Sequence, residues 1–234
     1  MLIAAVDTGT SSTRALLFDD ARFTGQSAAV EYALQSPEPG AAEPDPMEVM
    51  SALSGCLRTL AQQSREPVQR VALSSAMHSV LAVDARGAPL TPVYTWADKR
   101  ASVILPLLQD ALPPTVSGQL LYQETGMPLH PMSPLLKLVW LRHTRPALFA
   151  AAHMFVSLKE IVCHQLFGQW LADHSIASAS GLYNLQRRDW SDAALATAGV
   201  KRAQLSALAA PETAAALRTR RSGSRWRLTC SAGR

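Results

Sequence analysis

Asp7-Thr8-Gly9-Thr10-Ser11-Ser12-Thr13-Arg14 packs one acid, one glycine, five hydroxyls and one arginine into eight residues. Gly9 permits a tight bend and close backbone approach, and successive N–H groups and hydroxyls can surround phosphate oxygens. An acid here can hold Mg2+ through water, because Mg2+ takes carboxylate and phosphate oxygens together. An ordinary hairpin turn uses much the same residues, and taken by itself the segment reads first as that turn. Other familiar chemistries are missing: the chain contains no GxGxxG after its first strand, no GxxxxGK[ST], no HExxH and no GxSxG. Cys56, Cys163 and Cys230 are odd in number and far apart, which excludes a disulfide framework and a CxxC metal or redox pair.

The elements that must position this turn can be read from apolar spacing. Leu2–Val6 and Ala15–Phe18 are short apolar runs flanking the polar segment, so they predict a β-hairpin with Asp7 at the end of its first strand. Gln26–Leu34 alternates loosely and predicts a third strand. Pro37, Pro39, Gly40, Pro44 and Pro46 mark an extended surface loop. A helix should begin at Pro46, capped by Asp45 with a capping-box-like Glu48, and Met47, Met50, Leu53, Leu57 and Leu60 recur at helical spacing. Val68–Ser75 and Val80–Asp84 predict strands; 101–111, 114–124, 133–143 and 157–167 predict helices, the last two amphipathic. Strands with an early hairpin followed by α/β alternation predict an α/β domain with a mixed sheet flanked by helices.

Of the 234 residues, 48% are hydrophobic and 17% charged, enough for a packed core. The formal charge is +4, but residues 218–234 hold six arginines and no acid, which leaves the remainder with 16 basic and 18 acidic residues. The body is therefore mildly acidic, and neither a nucleic-acid nor a membrane partner is expected. No apolar stretch approaches the ~18–20 residues of a membrane span, and the N-terminus lacks the pattern of a signal peptide. The expectation is a soluble, cytoplasmic protein.

Six stretches resemble the N-terminal domain of the FGGY family of carbohydrate kinases, and most closely the gluconate kinases within it. They are Val6–Asp19 (VDTGTSSTRALLFD), Ala42–Pro46, Ser74–Asp84 (SSAMHSVLAVD), Thr95–Arg100 (TWADKR), Gly126–Leu141 and Phe155–Asn184, the last ending in SIASASGLYN. They follow the family's order and spacing over about residues 1–210. The resemblance implies a ribonuclease H-like, actin/hexokinase-like fold and ATP-dependent transfer of phosphate to a sugar acid, most closely D-gluconate to 6-phosphogluconate. A kinase for another polyol or a ketose such as xylulose, and a non-catalytic sugar-acid-binding module, are the competing readings.

The resemblance implies roles for single residues. Asp7, Gly9, Thr10, Ser11, Thr13 and Arg14 match the family's first phosphate loop, with Asp7 near the ATP-bound Mg2+. Met77 and His78 match the segment that reaches the sugar, although a half-buried, satisfied histidine is the plainer reading. Asp98 and Arg100 match a substrate-side motif, against the alternative of an exposed ion pair at a helix start. Asp173 aligns with the catalytic aspartate that takes the proton of the attacking hydroxyl; without the resemblance it is a helix N-cap before Ser175-Ile-Ala-Ser-Ala. Ala172 departs from the family, where Thr or Ser is common. A sugar carboxylate asks for a cation, and Lys99, Arg100, Lys137 and Lys159 are the candidates, with solvated lysines the commoner situation for the last two.

Members of the family continue into a second domain that supplies most adenine and ribose contacts. The expectation is that 1–217 form the sugar-binding domain, that the C-terminal ATP-binding domain is absent, and that 218–234 are a non-native or disordered tail from an out-of-frame reading. Domain closure needs both walls of the cleft, so this polypeptide alone is expected to have little or no kinase activity. The face its partner domain would cover is expected to favour self-association (a homo-oligomer) or instability.

Overall fold

The computed structural model describes residues 1–111, 118–210 and 229–230. β1 (Leu2–Thr8) and β2 (Ser12–Asp19) form the predicted hairpin, with Asp7 opposite Arg14 and Thr8 opposite Thr13. β3 (Arg22–Glu31) starts earlier than the alternation in 26–34 indicates and pairs antiparallel with β2. α1 (Pro46–Gln63) begins where expected: Asp45 accepts the Met47 N–H at 2.7 Å and Pro46 occupies the first turn. The buried face of α1 is carried by Val49, Met50, Leu53, Cys56 and Leu60, whereas Met47 is 62% exposed. The missing N–H of Pro46 and the cap place Met47 on the solvent side of that first turn.

β4 (Arg70–Ser75) and β5 (Leu81–Val83) follow, then a 3₁₀ turn at Arg100–Val103 leading into α2 (Ile104–Ala111). Next come α3 (Gly118–Thr125), α4 (Pro134–Thr144), α5 (Pro146–Ala151), β6 (Met154–Val156) and α6 (Leu158–Phe167). The helix expected from 114 thus begins, among the described residues, at Gly118. β7 (Leu171–Asp173) runs directly into α7 (His174–Ser178); β8 (Tyr183–Asn184), β9 (Asp189–Trp190), α8 (Asp192–Ala198), β10 (Ala207–Ala209) and β11 (Thr229–Cys230) complete the order. The arginine-rich tail expected at 218–234 lies outside the described residues apart from the two of β11.

The main sheet has the order β11-β4-β1-β2-β3, antiparallel across β1, β2 and β3 and parallel across β1, β4 and β11. This is the mixed sheet of the expected α/β class. Alternate residues Ala4, Val6, Ala15 and Leu17 are buried in one cluster with Leu53 and Leu60 of α1, as a sheet covered on one face requires. A second cluster is built around α4, which lies against α2, α5 and α8. Here the predicted amphipathic pattern fails. Every residue of α4 from Pro134 to Leu141 is buried, Lys137 included, because neighbours cover the polar face as well as the apolar one.

The Gly126–Leu141 and SGLYN stretches meet at Gly181, whose φ of +75° is left-handed; a Cβ there would stand 3.2 Å from the Leu135 Cβ. Gly181→Ala is expected to destabilise the chain by about 1–2 kcal/mol, read from the urea midpoint. An unchanged midpoint would show that this turn relaxes freely.

Candidate functional site

The turn between β1 and β2 is closed by its own backbone and by a residue from β3's far end. The Gly9 N–H donates to the Ser12 carbonyl at 2.8 Å, and the Tyr32 hydroxyl donates to the Gly9 carbonyl at 2.7 Å. A Cβ at position 9 would stand 3.1 Å from the Ser12 oxygen, so glycine is what lets the chain fold back this closely. Asp7, Ser11 and Arg14 are exposed, Gly9 and Thr10 half-buried, and Thr13 fully buried. Asp7 makes no ion pair among the described residues, leaving its carboxylate to solvent. The Thr8 hydroxyl is buried without a hydrogen-bond partner there.

The end of β4 carries the next segment to the same place. The Ala76 N–H donates to the Thr8 carbonyl at 2.8 Å, so the Ala76-Met77-His78 turn leaves the sheet beside the hairpin. Met77 is 39% exposed. His78 has a left-handed backbone, φ +58°, a conformation that costs a non-glycine residue about 1–3 kcal/mol unless its surroundings hold it. Its Nδ1 lies 2.7 Å from the Ala179 carbonyl. His78 lines a small cavity of about 30 Å³ with Ser79, Glu160, Ile176 and Ser180.

Trp96 joins the hairpin from a third direction. Its indole N–H donates to the Thr10 hydroxyl at 3.2 Å while the ring stays 53% exposed. Neither Trp96 nor Tyr32 stood out as a candidate. Trp96 had a signal, a large aromatic inside the polar TWADKR stretch; Tyr32 had none.

Asp98 and Arg100 are engaged with each other and with the loop before α1. Asp98 is 1% exposed, and Arg100 is buried with it, so the pair is not the exposed one that helix-start sequences favour. The guanidinium grips Asp98 through Nε and Nη2, Glu38 through Nη1 at 2.7 Å and Glu43 through Nη2. Asp98 also accepts the Ala42 N–H at 3.2 Å, and the Thr95 hydroxyl donates to the Ala42 carbonyl at 2.7 Å. The network fastens the proline-marked loop to the segment bearing Trp96. These side chains position the loop and the Trp96 segment against each other.

Asp173 is likewise committed. Its Oδ1 accepts the Ile176 N–H at 3.0 Å, making it the N-cap of α7, and its Oδ2 pairs with Lys159 Nζ at 2.6 Å. Burial pushes its carboxyl pKa up, but the bonds from Lys159 and Ile176 outweigh that and hold it below the ordinary range. The capping role that the residues after it indicate is thus present, and a general base would in addition need a lone pair within reach of the reacting hydroxyl. Three of the four candidate cations are occupied inside the fold. Arg100 holds three carboxylates, Lys159 holds Asp173, and Lys137 donates to the Pro131 and Met132 carbonyls. Lys137 is therefore buried and Lys159 half-buried, so neither is the solvated lysine of the commoner alternative, and Lys99 is exposed.

No cluster of three or more His, Cys, Asp or Glu side chains that could hold a metal ion exists among the described residues. No helix there is long and apolar enough to cross a membrane.

The sequence model for the FGGY family of carbohydrate kinases, N-terminal domain, matches residues 2–225, further than the quoted stretches reach. A gluconokinase of Bacillus subtilis (strain 168) is 36% identical over 204 residues, which are 87% of this chain and 39% of that protein. A xylulose kinase from Lactobacillus acidophilus superposes with a TM-score of 0.90 at 28% identity, covering 99% of this chain and 48% of the other. A gluconate kinase from the same organism superposes at 0.89 with 27% identity and the same coverage. The chain thus spans less than half the length of each of these relatives.

Proposed function

From the premise that the chain belongs to the FGGY family of carbohydrate kinases, we propose that it forms the sugar-binding half of an ATP-dependent kinase for a sugar acid, D-gluconate foremost. The observation that carries this reading is the Ala76 N–H to Thr8 carbonyl bond. It joins a turn suited to phosphate oxygens and a strained histidine suited to a hydroxyl into one wall. The choice of gluconate over a ketose is supported by the 36% identity with a gluconokinase.

In this reading the Asp7–Arg14 turn receives the nucleotide phosphates. Its residues fit Mg2+ in the manner of a phosphate-bound ion, with the unpaired Asp7 carboxylate holding it through water and no protein cage required. Bound there, Mg2+ would neutralise charge that develops on the transferred phosphoryl group. His78 accepts a hydrogen bond from a sugar hydroxyl, and exposed Met77 and Trp96 shield the reacting end. Lys99 is the cation left for the substrate carboxylate. The nucleotide's remaining contacts, and closure over the substrate, come in this proposal from a second domain like that of the longer relatives.

Titration of the full chain with gluconate, xylulose and glycerol, followed by calorimetry, tests the proposal. Saturable binding of gluconate in preference to the other two is expected, and His78→Ala should weaken it at least about tenfold, about 1.4 kcal/mol. Equal or absent binding of all three, with the fold intact, would overturn the sugar-acid assignment.

A further inference from the structure

We propose that Asp173 and Lys159 are positioning residues that act through α7 to fix the tautomer of His78. The inference rests on the reading of His78 as a substrate contact. A carbonyl oxygen can only accept, so the 2.7 Å contact between His78 Nδ1 and the Ala179 carbonyl means that Nδ1 carries the hydrogen. The neutral ring then has its lone pair on Nε2, the nitrogen left to accept from a hydroxyl.

Ala179 is the C-cap of α7. A helix of five residues has no stability of its own; something must hold it, and its N-terminal end shows what. Asp173 caps the Ile176 N–H with one oxygen and grips Lys159 with the other. Lys159 sits in the first turn of α6, which starts at a capping box of Ser157 and Glu160. The Leu158 N–H of that same turn donates to the Ser79 hydroxyl at 3.0 Å, and Ser79 adjoins His78. The contacts therefore close a ring: His78 and Ser79, the start of α6, Lys159, Asp173, α7, Ala179, and back to His78. Ile176, Ala177 and Ser180 line the His78 cavity from the α7 side. A ring of this kind can hold a left-handed histidine against its backbone strain, and cutting it at Asp173 frees the carbonyl that selects the tautomer.

The test is long-range ¹H–¹⁵N correlation of the imidazole nitrogens in the ¹⁵N-labelled full chain, well above the ordinary histidine pKa of about 6.5. His78→Gln assigns the signals. In the wild type, His78 should show protonated Nδ1 and bare Nε2. Asp173→Ala removes cap and ion pair together and should give a mixture of tautomers. Asp173→Asn keeps the cap but sets an amide donor against the Lys159 ammonium. It cuts the same link as loss of the lysine and should broaden the His78 signals without the full mixing of Asp173→Ala. Should Asp173→Ala fail to fold, Lys159→Met cuts the ring by one link and should broaden or mix the same signals. A protonated Nε2 in the wild type, or an unchanged signature in folded Asp173→Ala or in Lys159→Met, would overturn the inference. Gluconate added to the wild type separates the two proposals: a fixed tautomer with no response to the sugar counts against the substrate reading alone.

Discussion

Replacing Arg100 by methionine is expected to destabilise the chain by about 3–5 kcal/mol, because a buried ion network that loses its cation keeps uncompensated charge inside. Arg100 is 6% exposed at its side chain, Asp98 1% and Glu43 11%, so both carboxylates would be stranded far from water. Burial by itself pushes the guanidinium pKa down, but the hydrogen bonds it donates to Asp98, Glu38 and Glu43 outweigh that and raise the pKa above its ordinary value. The guanidinium also lies over two rings, 5.2 Å from the Tyr94 centroid and 5.1 Å from that of Trp140, a packing role that methionine replaces only in part. Against a typical total stability of about 5–15 kcal/mol, such a loss consumes much of the fold. Arg100→Lys should recover little, since an ammonium cannot serve three carboxylates in a fixed fork. Arg100→Met/Asp98→Asn/Glu43→Gln should recover most of the loss. Chemical denaturation of the four proteins at pH 7 reads the series. A midpoint for Arg100→Met near that of the wild type would show that water reaches the cluster.

How much of this was legible in the residues depends on the distance over which each feature is decided. The hairpin, the Asp45 cap of α1 and the existence of β4 and β5 are local patterns that the structure follows, with both strands shorter than the apolar runs at 68–75 and 80–84. The Asp173 cap was legible for the same reason, from the residues just after it. The full Arg100 network was not: beyond the adjacent Asp98, its other two acids lie 57 and 62 residues upstream, in a loop whose prolines signal only that it is extended. The burial of α4 was misread because one lysine in an apolar run usually marks the solvent side, and no local feature tells how many neighbours will cover a helix. α5, α7 and α8 are six, five and seven residues long, too short for a periodic pattern and held by what packs on them. The candidate site divides likewise. Its turn could be read from composition, whereas the contacts that aim His78 and Trp96 depend on residues about a hundred positions away.

Lys137 should make the stability of this chain climb steeply between neutral and alkaline pH. Its ammonium is 1% exposed by residue, and its two bonds go to neutral carbonyls. Burial drives its pKa down from 10.5 to about 7, with Asp98 pulling weakly the other way. The sign follows from proton counting. Between pH 7 and about 10.5 the unfolded chain holds a proton on this lysine that the folded chain has shed, so stability rises with pH across that window. Integrated over it, the gain is on the order of 4 kcal/mol. A neutral amine still has two N–H groups, so both carbonyl bonds survive deprotonation. Lys137→Met should therefore flatten the profile: near neutral pH the relieved charge roughly offsets about 1–3 kcal/mol for two abandoned carbonyls, while toward pH 10 only the loss remains. The buried Cys56 thiol, whose pKa burial raises, works in the opposite direction at alkaline pH, and for that reason the difference between the two proteins is the quantity to read. Denaturation midpoints of wild type and Lys137→Met should diverge steadily from pH 7 to pH 10, and parallel curves would mean that this ammonium finds solvent in the folded state.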